Sequence, residues 1–318
     1  MEVLAPVTER GDVMGLLEMT LADEPSAEVL STVARVGHLL SYAVSAHRRH
    51  TDLFDWAERS RPFTLSAEIQ HRLLPLSRTC EAAAFTLVGW LEPAVSIGGD
   101  TFDYSLARDV LHLSLTDAMG HGVASALTAT VGLASLRGSR RVGAHLIDSV
   151  QDANTALCRH APRSGADDFA TGIVGRVDLT TGILEVVNAG HVVPYLVRSG
   201  RVSELDLPAD LRLGMFEETE YSSTQVALVP GDRLVFVTDG MTERHGSAVD
   251  LPAILERTQP SHPREAVRHM ADKALEAAGH QLADDATILC LDWYGDHGAP
   301  GRSAVAGADP GLASEPLG

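Results

Sequence analysis

The sequence predicts an α+β protein with mainly antiparallel strands. Seven short apolar runs, rich in β-branched residues, are bounded by Gly, Asp or Asn, which is the composition of strands rather than helices. Neighbouring runs are joined by tight turns such as Leu179-Thr180-Thr181-Gly182, a connection that pairs strands antiparallel. Strand and helix patterns do not alternate steadily, as a doubly wound parallel sheet would require.

The elements follow in order. Gly11–Met19 reads as a turn entering a short strand. From Ser26 the pattern turns helical, with Val29, Val33, Val36, Leu40 and Ala43 at alternating four- and three-residue steps. Such a stripe needs a partner, either within the chain or as a short dimer-forming coil. Arg59-Ser60-Arg61-Pro62 breaks this pattern, and a second helix is expected over Thr64–Leu74, with Leu65, Ile69, Leu73 and Leu74 on one side. Pro75 stops it, because proline removes a donor and clashes with the preceding turn. Strands are expected at Phe85–Leu91, Leu111–Thr116, Phe169–Val177, Ile183–Asn188, Val192–Val197, Arg233–Val237 and Ala286–Leu291. Helices are expected at Val123–Leu136, Ala144–His160 and Pro263–Ala278. After Trp293 the composition falls to Gly, Ala, Pro and Ser, the signature of a disordered tail. Three units result: residues 1–60, a helical regulatory remnant; 61–295, the main domain; and 296–318, the tail.

The charge sum over 318 residues is 25 − 43 = −18, and Lys273 is the sole lysine. That balance opposes nucleic-acid binding and polybasic membrane anchoring, since both need cationic surface. A phosphorylated substrate is compatible only with a site that reverses the local sign. Cys80, Cys158 and Cys290 lack paired spacing, so buried thiols are expected rather than disulfides or a zinc site. No apolar run is long enough to span a bilayer, and the Met1-Glu2-Val3-Leu4-Ala5-Pro6 start lacks signal-peptide features, so a cytoplasmic location is expected.

The acids are distributed unevenly. Asp100 follows Gly98-Gly99; Asp117 opens Asp117-Ala118-Met119-Gly120-His121-Gly122; Asp239 follows Val237-Thr238; Asp284 and Asp285 precede Ala286-Thr287. A single aspartate at a strand end serves as readily as a turn former or a helix cap. Four such positions on apolar strands point to hard divalent cations, which take carboxylate and carbonyl oxygens. Two divalent ions would neutralise four carboxylates and turn the site toward phosphate. Gly98 and Gly99 permit close backbone approach, and Gly120 and Gly122 permit positive φ.

These segments resemble, in order, those of the SpoIIE-like serine/threonine phosphatases of the metal-dependent (PPM, protein phosphatase 2C-type) family. Asn188-Ala189-Gly190-His191 with Pro194 matches another segment of that branch, and the resemblance covers Ser66 to Asp292. It implies a four-layer β-sandwich flanked by helices, with two Mn²⁺ or Mg²⁺ ions at one end. By the same match, Asp117 bridges the ions and Ala118 offers its backbone carbonyl. Asp239 and Asp284 complete one shell, and Asp100 binds the second ion directly or through water. The family pattern places the acid three residues before the Thr287 hydroxyl, which selects Asp284, with Asp285 as the alternative. No counterpart of the eukaryotic phosphate-binding arginine is assignable.

Ser66-Ala67-Glu68-Ile69-Gln70 resembles the branch's leading helix, which in relatives links sensory domains to the phosphatase. Glu68 and Gln70 are expected at the surface or core rim. Residues 1–60 resemble, more weakly, the last strand and exit helix of a GAF domain. His121 and His191 stand in glycine-containing motifs, where loop support competes with a general-acid role. Zincin, P-loop, serine-hydrolase and dinucleotide-binding spacings do not occur. The implied activity is hydrolysis of phosphoserine or phosphothreonine on a regulator such as an anti-anti-sigma factor, by a metal-activated water. The competing class is an inactive module of the same fold that binds a partner protein, and a homodimer through the N-terminal helices is a further expectation.

Overall fold

Apolar alternation along the strands builds two stacked sheets whose aligned ends carry the acidic motifs. The computed structural model describes residues 1–51, 65–94, 98–107, 109–120, 122–160, 169–241, 249–279 and 282–295. Strands β1 (Glu2–Glu9) and β2 (Asp12–Thr20) form a hairpin, followed by α1 (Ala27–His47) and α2 (Leu65–Leu73). Next come β3 (Thr79–Glu81), β4 (Phe85–Glu92), β5 (Asp100–Ala107) and β6 (Val110–Ala118), then α3 (Val123–Arg141) and α4 (Leu146–His160). Strands β7 (Ala170–Asp178), β8 (Ile183–Ala189), β9 (Tyr195–Arg198), β10 (Arg201–Glu204), β11 (Thr224–Ala227) and β12 (Arg233–Val237) follow. The described chain closes with α5 (Leu251–Thr258), α6 (Pro263–Ala277) and β13 (Ala286–Trp293).

The larger sheet has the order β10-β9-β12-β13-β4-β3 and the other β11-β8-β7-β6-β5. Every pairing in them is antiparallel, as the turns imply. Between the sheets, Phe85, Leu87, Phe236 and Leu289 of one meet Phe102, Leu111, Leu115 and Ile173 of the other. Alternate residues of the same strands face outward. Val88, Val235, Ile288 and Cys290 pack with Ile254 and Leu255 of α5 and Met270 of α6. Val174 and Val187 pack with Leu136 of α3 and Val150 and Leu157 of α4. Burial on both faces is why β12 reads as the continuous run Arg-Leu-Val-Phe-Val. Each such side chain contributes roughly 1.5–3 kcal/mol through removal from water. Cys80 and Cys290 are buried as expected, and Cys158 is half-buried.

The N-terminal segment departs from its sequence reading in two ways. The Gly11–Met19 strand has a partner, β1, whose Pro6 is tolerated because a two-stranded sheet leaves an open edge. Helix α1 buries Val33, Gly37, His38 and Ser41 against the hairpin, whereas Val29, Val36 and Leu40 of the anticipated stripe are exposed. The reason is close approach: a Cβ on Gly37 would lie 2.8 Å from the Pro6 carbonyl oxygen. The small face therefore packs, and Val33 is the stripe residue that joins it. The hairpin turn also rests on the larger sheet. Arg10 O accepts from Glu81 N at 2.8 Å, Asp12 Oδ1 accepts from Arg78 N at 3.2 Å, and the Arg264 guanidinium donates to Gly11 O.

Helix α2 shows a similar correction. Leu65 is exposed, while Ser66, Ala67 and Gln70 are the buried face. Gln70 is 3% exposed and not a surface residue; Glu68 is half-buried and pairs with Arg72. Strands β3, β5, β10 and β11 and helix α5 were not anticipated. The proposed tail, residues 296–318, and the Arg59–Pro62 break lie outside the described residues. Among the described residues, no helix is long and apolar enough to cross a membrane.

Candidate active site

The sheet register brings the acidic motifs together. Asp100 opens β5 and stands directly opposite Asp117 of β6, a placement in which like charges destabilise the pair. Asp239 follows β12, and Asp284 and Asp285 precede β13, the neighbouring strand of the other sheet. Asp117 interacts with each of the other four. Burial, Asp117 and Asp285 push the Asp100 carboxyl well above the ordinary carboxylate range. Burial first, then Asp239, Asp284 and Asp285, push Asp117 up to about 7. The two groups cannot both ionise easily without compensating positive charge.

Asp100 is 2% exposed and is held by hydroxyls. Its Oδ2 accepts from Thr238 Oγ1 at 2.7 Å and from Thr287 Oγ1 at 2.6 Å. Thr287 N in turn donates to Thr238 Oγ1 at 3.0 Å. Two threonines of the larger sheet thus fix a carboxylate of the smaller one. The sequence reading used Thr287 only as a register marker; the signal for both was a hydroxyl beside each motif aspartate.

Asp284 and Asp285 are neighbours with opposite environments. Asp284 is exposed, and its Oδ1 accepts from Asp285 N at 2.9 Å. Asp285 is 1% exposed, and both oxygens of its carboxylate accept from protein donors. Ala94 N and Gly98 N donate to its Oδ1 at 2.8 and 3.1 Å, and Gln70 Nε2 donates to its Oδ2 at 2.5 Å. Burial raises its pKa and these donors oppose the rise.

The glycines serve these contacts. A Cβ on Gly98 would lie 2.7 Å from the Asp285 carboxylate, and one on Gly240 would lie 1.9 Å from the Asp285 carbonyl oxygen. A Cβ on Gly99 would meet the Ala118 carbonyl oxygen at 2.4 Å. Gly120 and Gly122 take positive φ, +93° and +82°, after Asp117.

His191 is a brace. Its Nε2 faces the Val237 carbonyl oxygen at 3.2 Å, so that nitrogen carries the proton, and Nδ1 accepts from Thr171 Oγ1 at 2.7 Å. Burial lowers its pKa to about 4. Asn188 Oδ1 accepts from His191 N at 2.8 Å and closes the turn. The motif therefore ties Thr171, which pairs with Asp117, to the strand carrying Asp239. His121 lies outside the described residues.

The donor set is all oxygen, which suits Mg²⁺ or Mn²⁺ and not soft metals. Among the described residues, no three His, Cys, Asp or Glu groups are already closed around one point as a metal shell. The arrangement is a converging, mutually repelling cluster.

Comparison with known proteins accords with this geometry. The family described as Stage II sporulation protein E (SpoIIE) matches residues 107–294, with Asp100 just ahead of the matched span. The chain is 23% identical over 233 residues to phosphoserine phosphatase RsbU of Bacillus subtilis, covering 71% of this chain and 68% of that protein. It is 24% identical to phosphoserine phosphatase RsbP of the same organism, covering 62% of this chain but only 49% of that longer protein. The SiaA-PP2C domain of Pseudomonas aeruginosa superposes with a TM-score of 0.61 at 22% identity, over 79% of this chain and 99% of that domain. The chain belongs to the SpoIIE family of PP2C-type protein phosphatases.

Proposed function

We propose that the chain is a metal-dependent phosphatase acting on phosphoserine or phosphothreonine of a regulatory protein, of the anti-anti-sigma type. The observation that carries this reading is the opposed pair Asp100 and Asp117, both pushed above the ordinary carboxylate range at the meeting edge of two sheets. Asp117, the Ala118 carbonyl, Asp239, Asp284 and Asp100 would hold two Mn²⁺ or Mg²⁺ ions. Asp284 is preferred to Asp285 because three protein donors already hold the latter carboxylate, while Asp284 is exposed. When bound, two such ions neutralise the acids, lower the pKa of a water and clamp the attacking and leaving oxygens. The chain's own part is positional. Thr238 and Thr287 hold Asp100, and His191 with Asn188 fixes the strand ends beside Asp117 and Asp239.

The three packing clusters support the four-layer sandwich, with residues 61–295 as the phosphatase unit and 1–60 as the regulatory one. The exposed Val29, Val36, Leu39 and Leu40 of α1 support a homodimer through that helix; light scattering of the full chain reads its mass.

The test of function is hydrolysis of a phosphoserine peptide by the purified chain with Mn²⁺. Turnover that Asp239→Asn abolishes supports the reading. An inert wild type that still binds a partner protein tightly would mean the alternative, a non-catalytic module of this fold.

A further inference from the structure

We propose that Arg212 is a specificity-determining residue that binds an acidic side chain of the substrate protein one or two positions from the phosphoserine. The inference rests on the phosphatase reading above. Arg212 lies in the stretch between β10 and β11, outside every acidic motif. Its backbone is fixed on both sides. Asp210 N donates to Asn188 O at 2.8 Å, and Leu213 exchanges both amide hydrogen bonds with Ala170, at 2.8 and 2.9 Å. Ala170 in turn pairs with Ala118, and Thr171 with Asp117. Antiparallel register therefore sets Arg212 beside Thr171, on the face of the sheet to which Asp100 and Asp117 belong. Leu213 faces the other way, into the core with α3 and α4.

The side chain is exposed but held in place. Its stem crosses Gly190, where a Cβ would lie 2.7 Å from Arg212 Cγ, and its guanidinium lies over the Phe169 ring, 5.0 Å from the centroid. Phe169 is tied to the acidic motif, because its carbonyl accepts from Met119 N at 2.9 Å. A guanidinium stacked on an aromatic face keeps its N–H edge free for bidentate bonding to a carboxylate. The neighbouring acids are engaged elsewhere: Asp210 accepts from Ser222 N at 2.8 Å, and Glu217 pairs with Arg159. Among the described residues Arg212 forms no ion pair. In a chain of net charge −18 it is a cation available to a partner. Phe169 is two residues along the strand from Thr171, about 6.6 Å, and Asp117 is one strand across, about 4.8 Å. The guanidinium thus stands roughly 8 Å from Asp117, the span of about two residues of extended chain. That places it over the substrate segment flanking a phosphoserine seated at the acids.

The test uses the full chain with Mn²⁺ and three phosphoserine peptides, whose flanking residues are glutamate, glutamine or arginine. Arg212→Gln keeps the stem over Gly190 and removes the charge, and Arg212→Glu reverses it. Wild type should give its highest kcat/KM on the glutamate peptide. The glutamate-to-glutamine ratio should fall about fivefold in Arg212→Gln, the size of a solvent-exposed ion pair. The loss should lie in KM and not in kcat, as an interaction made equally in ground and transition states requires. In Arg212→Glu the order should invert, with the arginine peptide the best of the three. Added salt should erode the wild-type ratio and leave the Arg212→Gln ratio flat. An unaltered ratio with both peptides falling together overturns the proposal, because Arg212 then serves the phosphoryl group or the packing of Phe169. A wild type active on all three peptides without preference overturns this proposal alone. A wild type that cleaves none of them overturns the phosphatase reading and this proposal with it.

Discussion

Strand β6 carries two kinds of buried surface. Leu111, Leu113 and Leu115 lie in the inter-sheet core at 0–2% exposure, while Asp117, two residues further, faces four other aspartates. The apolar end gains from every atom removed from water. The acidic end loses from its own charge, and it persists because the strands that carry it are held elsewhere. Stability and function therefore belong to opposite ends of the same sheets, and substitutions at the two ends should separate them.

The widest separation should come at the acidic end. Asp239→Asn is expected to lower phosphoserine hydrolysis by more than about 100-fold, since even outer-shell changes reach that size. Its metal-free thermal midpoint should stay at or above wild type because a repelling charge is gone. Leu111→Ala should do the opposite. It should cost about 2–5 kcal/mol in denaturant unfolding through lost burial and a cavity, with Mn²⁺ affinity of the folded fraction unchanged. If both variants lose stability and metal binding together, the separation fails.

The pH response sharpens the same contrast, because two groups act with opposite sign. Burial lowers the His191 pKa from the ordinary 6.5 to about 4. Its contribution, on the order of 3 kcal/mol, is present above the unfolded value and lost as pH falls toward the folded one. His191→Gln should flatten that acid limb in urea titrations. Asp117 is raised from 3.8 to about 7, so the folded chain keeps a proton that the unfolded chain has released between those values. Metal-free stability from this group therefore falls as pH rises through that window. Asp117→Asn should remove this decline, read as the Tm difference between pH 5.5 and 8 in chelator.

Much of the molecule was legible because burial leaves a one-dimensional trace. Strands covered on both faces, such as Arg233–Val237 with its apolar run Leu234–Val237, appear with the bounds the structure shows. Strand β5 did not, because Asp100, Asp103 and Ser105 interrupt its pattern, and two of these are buried through partners distant in sequence. The same limit hid Gln70. A polar residue on a helix reads as solvent-facing until the carboxylate it meets, 215 residues away, is in place. On α1 the larger apolar stripe misled, since Gly37 allows a closer approach than the valines and leucines beside it. The motif aspartates were visible as strand-end acids, but which of Asp284 and Asp285 faces outward depends on the Ala94 and Gly98 amides that claim one of them.

The central claim is that the acidic end is a cation site, and a Mn²⁺ titration of the metal-free chain at pH 8 tests it most directly. The account predicts saturable binding of two ions per chain, accompanied by a rise in Tm, with both lost in Asp117→Asn. Binding that is absent in wild type, or that survives intact in Asp117→Asn, would contradict it.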